Sequence, residues 1–405
     1  MMGFTRYQRF LFLFLCLALF FDGYDLFALS QTLPELRAMF SLSPAEGGRL
    51  LGLANLGMLA SYFLTRLADR QGRRKILSLS LIAYPLLSGL SALAPGSGTF
   101  FLCQLGSRVF LSSAIALAIV YAAEEFPAAR RGAALGMLQV SASLGAIFCA
   151  ALTPTLLRGV WGWRGVYLVG ALPLLPALAA PLFLRESERF AATATNRSEL
   201  PSLLRLLKSP HKGRMMQLAG IWAATYMCTQ SASSFWKEHA LRSGMMNSGQ
   251  AGASIAAAAL LGLPATLMAG RLIDRIGRRR GAIVIYLLTF LGVLGAYWLP
   301  PGPLLIAALS LSIGGAGGAI ILLSAFTTEC FPTTLRSDAM AWANNLLGRL
   351  AYMASPLLVA WWGGRLGWAW AVSATAPFLL LAVVMIWCWL PETVGRDLAD
   401  TAQTR

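Results

Sequence analysis

The sequence predicts an all-α membrane protein whose twelve transmembrane helices form two pseudo-symmetric six-helix bundles. Three observations carry that prediction. Hydrophobic residues make up 57% of the chain and charged residues 12%, against about 45–50% and about 25% in soluble domains. The apolar runs last about 20 residues, enough to cross about 30 Å as helices. Finally, a charged loop sequence from the first half returns in the second.

A soluble fold could not hide this much apolar surface. In lipid, every backbone polar group needs an internal partner, which leaves helix bundles or closed barrels. The runs lack the alternation of barrel strands, so helices remain. The predicted spans are 10–33, 46–67, 76–94, 98–123, 132–157, 163–184, 213–236, 249–273, 282–299, 303–328, 338–363 and 367–390. The polar segment 185–212 divides them six and six. The expected organisation is an N-terminal bundle (1–184), a central loop (185–212), a C-terminal bundle (213–390) and a tail (391–405). Arg6 and Arg9 before Phe10–Phe21 look like the start of a signal peptide. The run continues into Asp22-Gly23-Tyr24-Asp25 with no small-residue cleavage site, so it reads as an uncleaved first helix.

Charge sets the orientation. With the N-terminus inside, most of the 33 Lys and Arg fall in cytoplasmic segments. Only Arg37, Arg49, Arg158, Arg164, Lys237, Arg242 and Arg365 fall on the other side, and Arg108 and Arg349 lie within spans. Both termini and the 185–212 loop are therefore expected in the cytoplasm of a cell with the protein in its inner membrane. The net charge of +16 sits in turns and not on one polar face, so nucleic acid is not an expected partner. The six cysteines (Cys16, Cys103, Cys149, Cys228, Cys330, Cys388) have no metal or redox spacing and read as packing residues. No Ser/His/Asp, metal or phosphate-loop arrangement stands out. The chain is expected to be no enzyme and to need no cofactor or metal.

Residues 65–75 read Thr-Arg-Leu-Ala-Asp-Arg-Gln-Gly-Arg-Arg-Lys, and residues 270–280 read Gly-Arg-Leu-Ile-Asp-Arg-Ile-Gly-Arg-Arg-Arg. The same displacement lays Glu124, Phe126, Pro127 and Arg131 on Glu329, Phe331, Pro332 and Arg336, and Trp163 on Trp368. Gly47 and Gly57 likewise fall on Gly252 and Gly262. A duplicated six-span unit implies a pseudo-two-fold axis along the membrane normal, with a pathway between the halves and a site near the midplane.

An ionisable group within a span is costly and marks function by default. Asp22 and Asp25, three residues apart in span one, share a helix face. They lie roughly 20–24 Å into the membrane, Arg108 roughly 15 Å from the outer end of span four, and Arg349 roughly 16 Å from the inner end of span eleven. Two neighbouring carboxylates in a low-dielectric site cannot easily both ionise, which suits a proton carrier, with Asp25 ahead of Asp22. An arginine keeps its charge, and its planar fork suits a carboxylate. Arg108 and Arg349 are thus substrate anchors, or else partners in permanent Asp–Arg packing pairs. In span seven, Trp222, Tyr226, Gln230 and Ser233 share a face. They would line a pocket for a small organic substrate, or face lipid as interfacial aromatics. Asn344 and Asn345 are pocket donors or helix–helix glue. His239, beside Lys237 and Glu238, reads as a solvated surface residue, and His211 needs no special role.

The loop motifs serve a different purpose. Asp69 and Asp274, beside Arg70, Gly72, Arg73, Arg275, Gly277 and Arg278, are placed to close an inner gate through charge-assisted pairs. Glu124 with Arg131, and Glu329 with Arg336, would do the same in the sister loops. The glycines of span ten (Gly314, Gly315, Gly317, Gly318) allow close helix approach.

Over nearly its whole length the chain resembles the major facilitator superfamily, the standing example of parallel six-helix halves. The signature Gly-x-x-x-Asp-Arg-x-Gly-Arg-Arg is complete from Gly270 to Arg279, and its first copy has Thr65 in place of the glycine. Glu-x-Phe-Pro-x-x-x-Arg after spans four and ten, Trp163-Arg164, and Pro391-Glu392-Thr393-Val394-Gly395-Arg396 are similar to the sugar-porter and metabolite:proton symporter branch. Arg185-Glu186-Ser187-Glu188-Arg189 resembles that branch's Pro-Glu-Ser-Pro-Arg without its prolines. Asp22-Gly23-Tyr24-Asp25 resembles the signature of the aromatic acid:proton symporters. The region of Arg108 resembles the same family's fourth span, with Ser112, Ala114 and Ala116 in place of its glycines. The resemblance implies a proton-coupled importer of a small organic acid working by alternating access as a monomer. Its partners would be the substrate, a proton and the bilayer. A sugar or polyol symporter is the first alternative, and efflux of a drug or metabolite the second.

Overall fold

The computed structural model describes residues 5–126, 128–185, 209–331 and 335–393, and the backbone alone at 69–70, 123–124, 128–133 and 336–337. Every regular element among the described residues is a helix. The first half holds α1 (Arg6–Met39), α2 (Pro44–Ala54), α3 (Leu56–Gln71), α4 (Arg73–Ala92), α5 (Ser97–Glu125) and α6 (Ala128–Arg158). It closes with the short α7 (Trp163–Gly170), α8 (Leu174–Leu178) and α9 (Ala180–Phe183). The second half holds α10 (Lys212–Arg242), α11 (Ser248–Ile276), α12 (Arg278–Trp298) and α13 (Pro303–Glu329). After them come α14 (Arg336–Met340), a π-helical segment (Ala341–Gly348), α15 (Arg349–Leu366), α16 (Trp368–Ser373) and α17 (Pro377–Trp389).

Ten helical stretches are long and apolar enough to cross a membrane. The two other expected spans are helical but fall outside that group for visible reasons. α10 carries Gln230 and Lys237-Glu238-His239 among its apolar residues. The eleventh span is broken by the π-helical segment, after which α15 runs for 18 residues.

Helix starts follow local chemistry. Thr5 and Gln8 form a reciprocal capping box at α1, and Asn247 and Gln250 form one at α11, satisfying backbone donors that a first helical turn leaves open. Gly72 and Gly277, equivalent in the repeat, end α3 and α11 with φ of 109° and 96°. That region is costly for a side chain, which explains a glycine at this point of each loop motif.

The helices group into two compact units. Among the described residues, those within 1–42 and 53–199 form the first, and those within 43–52 and 200–405 the second. The first unit's core runs through Leu15, Leu77, Leu81, Tyr84, Leu111, Leu117 and Phe126. Elsewhere apolar side chains point outward: Phe63 is 75% exposed and Leu182 81%. Such surfaces suit lipid and not water. The repeat is legible in the packing. A Cβ on Gly57 would stand 2.4 Å from the Leu105 carbonyl oxygen, and one on Gly262 2.8 Å from that of Ser310. Leu105 and Ser310 are equivalent positions, so each unit makes the same close helix crossing.

Candidate functional site

In the first unit the site begins on α1. Asp22 and Asp25 are both buried, and Asp25 is only 1% exposed. A carboxylate so enclosed needs hydrogen-bond partners. Ser88 of α4 donates to Asp25 Oδ1 at 2.5 Å, and Ser107 Oγ of α5 lies 3.2 Å from Asp25 Oδ2. The Ser107 hydroxyl is also 3.2 Å from the Tyr84 carbonyl oxygen. It has one proton to give, so it serves one of these acceptors at a time. Gly170 of α7 closes the site: a Cβ there would stand 3.0 Å from Asp25 Oδ1 and 2.9 Å from Ser88 Oγ.

Arg108, beside Ser107, is 3% exposed. Its Nη2 donates to the carbonyl oxygen of Leu26, beside Asp25, at 3.1 Å. Two adjacent residues of α1 are thus held by two adjacent residues of α5. The guanidinium is near enough for its charge to act on the Asp25 carboxylate. Gly57 gives this side chain its room, since a Cβ there would stand 2.8 Å from Arg108 Cβ.

The second unit holds an aromatic and amide cluster. Tyr226 of α10 donates its hydroxyl proton to Asn344 Oδ1 at 2.8 Å. Its ring packs against Trp222 at 5.4 Å and edge-on to Tyr352 at 5.2 Å between centroids. Arg349 lies over the Tyr352 ring at 5.3 Å, within cation–π range. Trp222 Nε1 donates to Thr327 Oγ1 at 3.2 Å. Asn344 sits inside the π-helical segment and Arg349 directly follows it. Such segments widen one turn of a helix and recur at functional sites. Gln230, one turn beyond Tyr226, donates to Ser234 Oγ at 3.2 Å.

A third network lies at the charged loop between α11 and α12. Arg278 pairs with Asp274 and reaches Glu329 with two nitrogens, Nη2 to Oε1 at 2.9 Å and Nε to Oε2 at 3.3 Å. Thr393 donates to the same Glu329 at 2.5 Å. Glu392 accepts the backbone N–H groups of Arg278 at 2.8 Å and Arg279 at 3.0 Å, capping α12 with a carboxylate. A bidentate arginine–carboxylate pair is the geometry that a charge-assisted latch requires. Among the described residues, no group of three or more His, Cys, Asp or Glu side chains could hold a metal ion.

Buried charges inside apolar helices, a repeated unit and a latched loop are features of a transporter. The family model "Major Facilitator Superfamily" matches residues 15–356 and 246–405. The chain belongs to the major facilitator superfamily. A cis,cis-muconate transport protein of Acinetobacter baylyi is 27% identical over 401 residues, 91% of this chain and 91% of that protein. Synaptic vesicle glycoprotein 2B of Rattus norvegicus is 33% identical over 201 residues, 46% of this chain. That match spans only 29% of the glycoprotein's length. The crystal structure of a D-xylose-proton symporter superposes with a TM-score of 0.74 at 21% identity, covering 95% of this chain and 98% of that one.

As a superfamily transporter, the chain brings Asp25, Arg108, Trp222, Tyr226, Asn344, Arg349, Asp274, Arg278 and Glu329, from among the residues singled out in its sequence, into the three clusters. Trp222 and Tyr226 are buried, and so is Trp236, whose Nε1 donates to the Ala296 carbonyl oxygen at 2.8 Å. These rings pack against protein and not against lipid. Arg275 is exposed and outside the latch. The side chains of Asp69, Arg70, Glu124, Arg131 and Arg336 lie outside the described residues. His239 corrects the sequence reading. It is 9% exposed and tilts against the Tyr297 ring at 5.0 Å, because α10 continues in packed form to Arg242. Lys237 and Glu238 are buried with it, and Glu238 pairs with Arg242 at 2.8 Å.

Sequence reasoning missed Ser88, Ser107, Gly170 and Tyr352, and it read Glu392 and Thr393 only as a family mark.

Proposed function

We propose that this transporter takes up a small organic acid, aromatic acids among them, together with a proton, by alternating access. The observation that carries this reading is the Asp25 carboxylate, buried on α1 and bound through Ser88 and Ser107, with Arg108 tied to the adjacent carbonyl. Protonation neutralises Asp25 and leaves the Arg108 charge available to an anionic substrate. A bound anion in turn favours the protonated carboxyl, so each ligand promotes the other. The second cluster supplies what a planar or unsaturated acid would use: the Tyr226 and Tyr352 rings, the Asn344 amide and the Arg349 charge. The full-length relative named for cis,cis-muconate supports a carboxylate as cargo.

In this reading residues 1–184 and 213–390 are the two moving bundles, joined in the cytoplasm by 185–212 and followed by the cytoplasmic tail 391–405. The protein works as a monomer in the inner membrane. Sugar or polyol symport is the second reading, favoured by the Pro391–Arg396 motif. Efflux follows it. A neutral sugar would depend on amides and aromatics and would tolerate loss of the Arg108 charge. The test is uptake of radiolabelled cis,cis-muconate, benzoate and xylose into vesicles, with and without a pH gradient. Carboxylate accumulation that collapses with the gradient is the expected result. Accumulation of xylose alone would overturn the reading.

A further inference from the structure

The second unit contains a groove of about 360 Å³ walled by α11, α12 and α13. Its floor is helix backbone, because α13 presents Gly314, Gly315 and Gly318 there. Leu272, Leu288 and Leu311 form its apolar walls. At one end stand Arg271 and Arg275, both exposed and one turn apart on α11. The groove runs from this pair to Ala265, about 15 Å along the helix. It therefore starts at the level of the charged loop and extends toward the middle of the apolar layer.

An apolar concavity rimmed by exposed apolar side chains such as Met268 and Leu288 suits hydrocarbon and not water. The two guanidiniums add a headgroup preference. Among the described residues, the loop carboxylates Asp274 and Glu329 are both engaged by Arg278, and neither Arg271 nor Arg275 shares in those pairs. A guanidinium fork matches a phosphate, and basic residues near a membrane surface attract anionic lipid. We infer that this groove is a binding site for an anionic phospholipid, with one acyl chain on the Gly314–Gly318 floor and the phosphate on Arg271 and Arg275. The lipid would sit against the α11–α12 loop that carries the Arg278 latch.

The test is native mass spectrometry of the full chain loaded with an equimolar mixture of phosphatidylglycerol and phosphatidylcholine. Wild type is expected to retain phosphatidylglycerol preferentially. Each of Arg271→Gln and Arg275→Gln should lower that retention about fivefold, and the pair roughly thirtyfold, with phosphatidylcholine unaffected. Ala265→Leu, at an exposed position of the groove, should reduce both lipids. Arg280→Gln, an exposed arginine that does not line the groove, should change neither. If the arginine variants do not fold, raised salt on wild type should strip phosphatidylglycerol selectively. Equal retention of the two lipids by wild type would overturn the site. So would wild-type retention by the double variant, or equal loss in Arg280→Gln. Efficient dimer cross-linking through Ala265→Cys would assign the groove to a second copy instead.

Discussion

The Ser88 hydroxyl donates a short hydrogen bond to Asp25 Oδ1 at 2.5 Å. It joins α4 to α1 at the one carboxylate that the proposed coupling needs. Asp25→Asn should therefore abolish pH-driven accumulation while retaining exchange. Ser88→Ala, removing a bond to a charged group worth about 1.5–3 kcal/mol, should slow uptake roughly tenfold or more. Vesicle uptake under an imposed pH gradient measures both. Full accumulation by Asp25→Asn would move the proton to Asp22, and then to Glu124.

Arg108 reaches the Leu26 carbonyl at 3.1 Å, in space that Gly57 leaves open. Arg108→Ala should lose binding of radiolabelled cis,cis-muconate as well as its transport. Arg108→Lys should not restore either, because an ammonium lacks the planar fork. Wild-type affinity in the lysine variant would make Arg108 a packing residue.

The architecture was legible in the sequence because it rests on length, apolarity and repetition, which are local or periodic signals. Asp25, Arg108 and Arg349 stood out for a related reason: a charge within an apolar run is costly and marks a functional hypothesis by default, and the structure buries Asp25 and Arg108. Ser88 and Ser107 were not, since a serine in a membrane helix satisfies itself on its own backbone and gives no sign of its partner. The π-helical segment around Asn344 was hidden too. It depends on how α10 and the eleventh span pack, through Tyr226 and through Trp222, whose Cβ would lie 2.9 Å from a Cβ on Gly348. His239 was misread because a charged triplet at a predicted span end looks solvated, whereas the helix stays packed for another turn.

The distribution of basic residues predicts Leu200 in the cytoplasm and Ser243 on the opposite side. Cysteines introduced at these two positions should label from opposite faces of intact cells and inverted vesicles. Leu200 lies outside the described residues, so labelling is the direct measurement. The reverse pattern would invert every loop assignment, including the side on which Asp274 and Arg278 act.

Asp274 shares Arg278 with Glu329. Asp274→Asn should slow transport severalfold while leaving expression and equilibrium substrate binding near wild type, because it loosens the loop and not either cluster. Asp69→Asn, at the equivalent place in the first repeat, should behave the same way. Normal transport by both variants would reduce the motifs to topology signals.

Glu392 binds the first two backbone N–H groups of α12, where a helix leaves its donors open and its dipole favours negative charge. The contact is close: a Cβ on Gly277 would stand 2.8 Å from Glu392 Oε2. Glycine at this position is therefore required twice, by φ and by the approaching carboxylate. Thr393 meanwhile bonds Glu329, so the segment after α17 touches both sides of the Arg278 latch. Glu392→Ala should cost about 1–2 kcal/mol of local helix stability. It should raise amide exchange over residues 278–282 roughly tenfold, with the start of α13 unchanged. Glu392→Gln keeps an acceptor but loses the charge, and should fall between the two. Uptake should drop in the same order, because an uncapped α12 lets Arg278 swing away from Glu329. Fast exchange with unimpaired uptake would separate the cap from the latch, and unchanged exchange in the alanine variant would remove the cap itself.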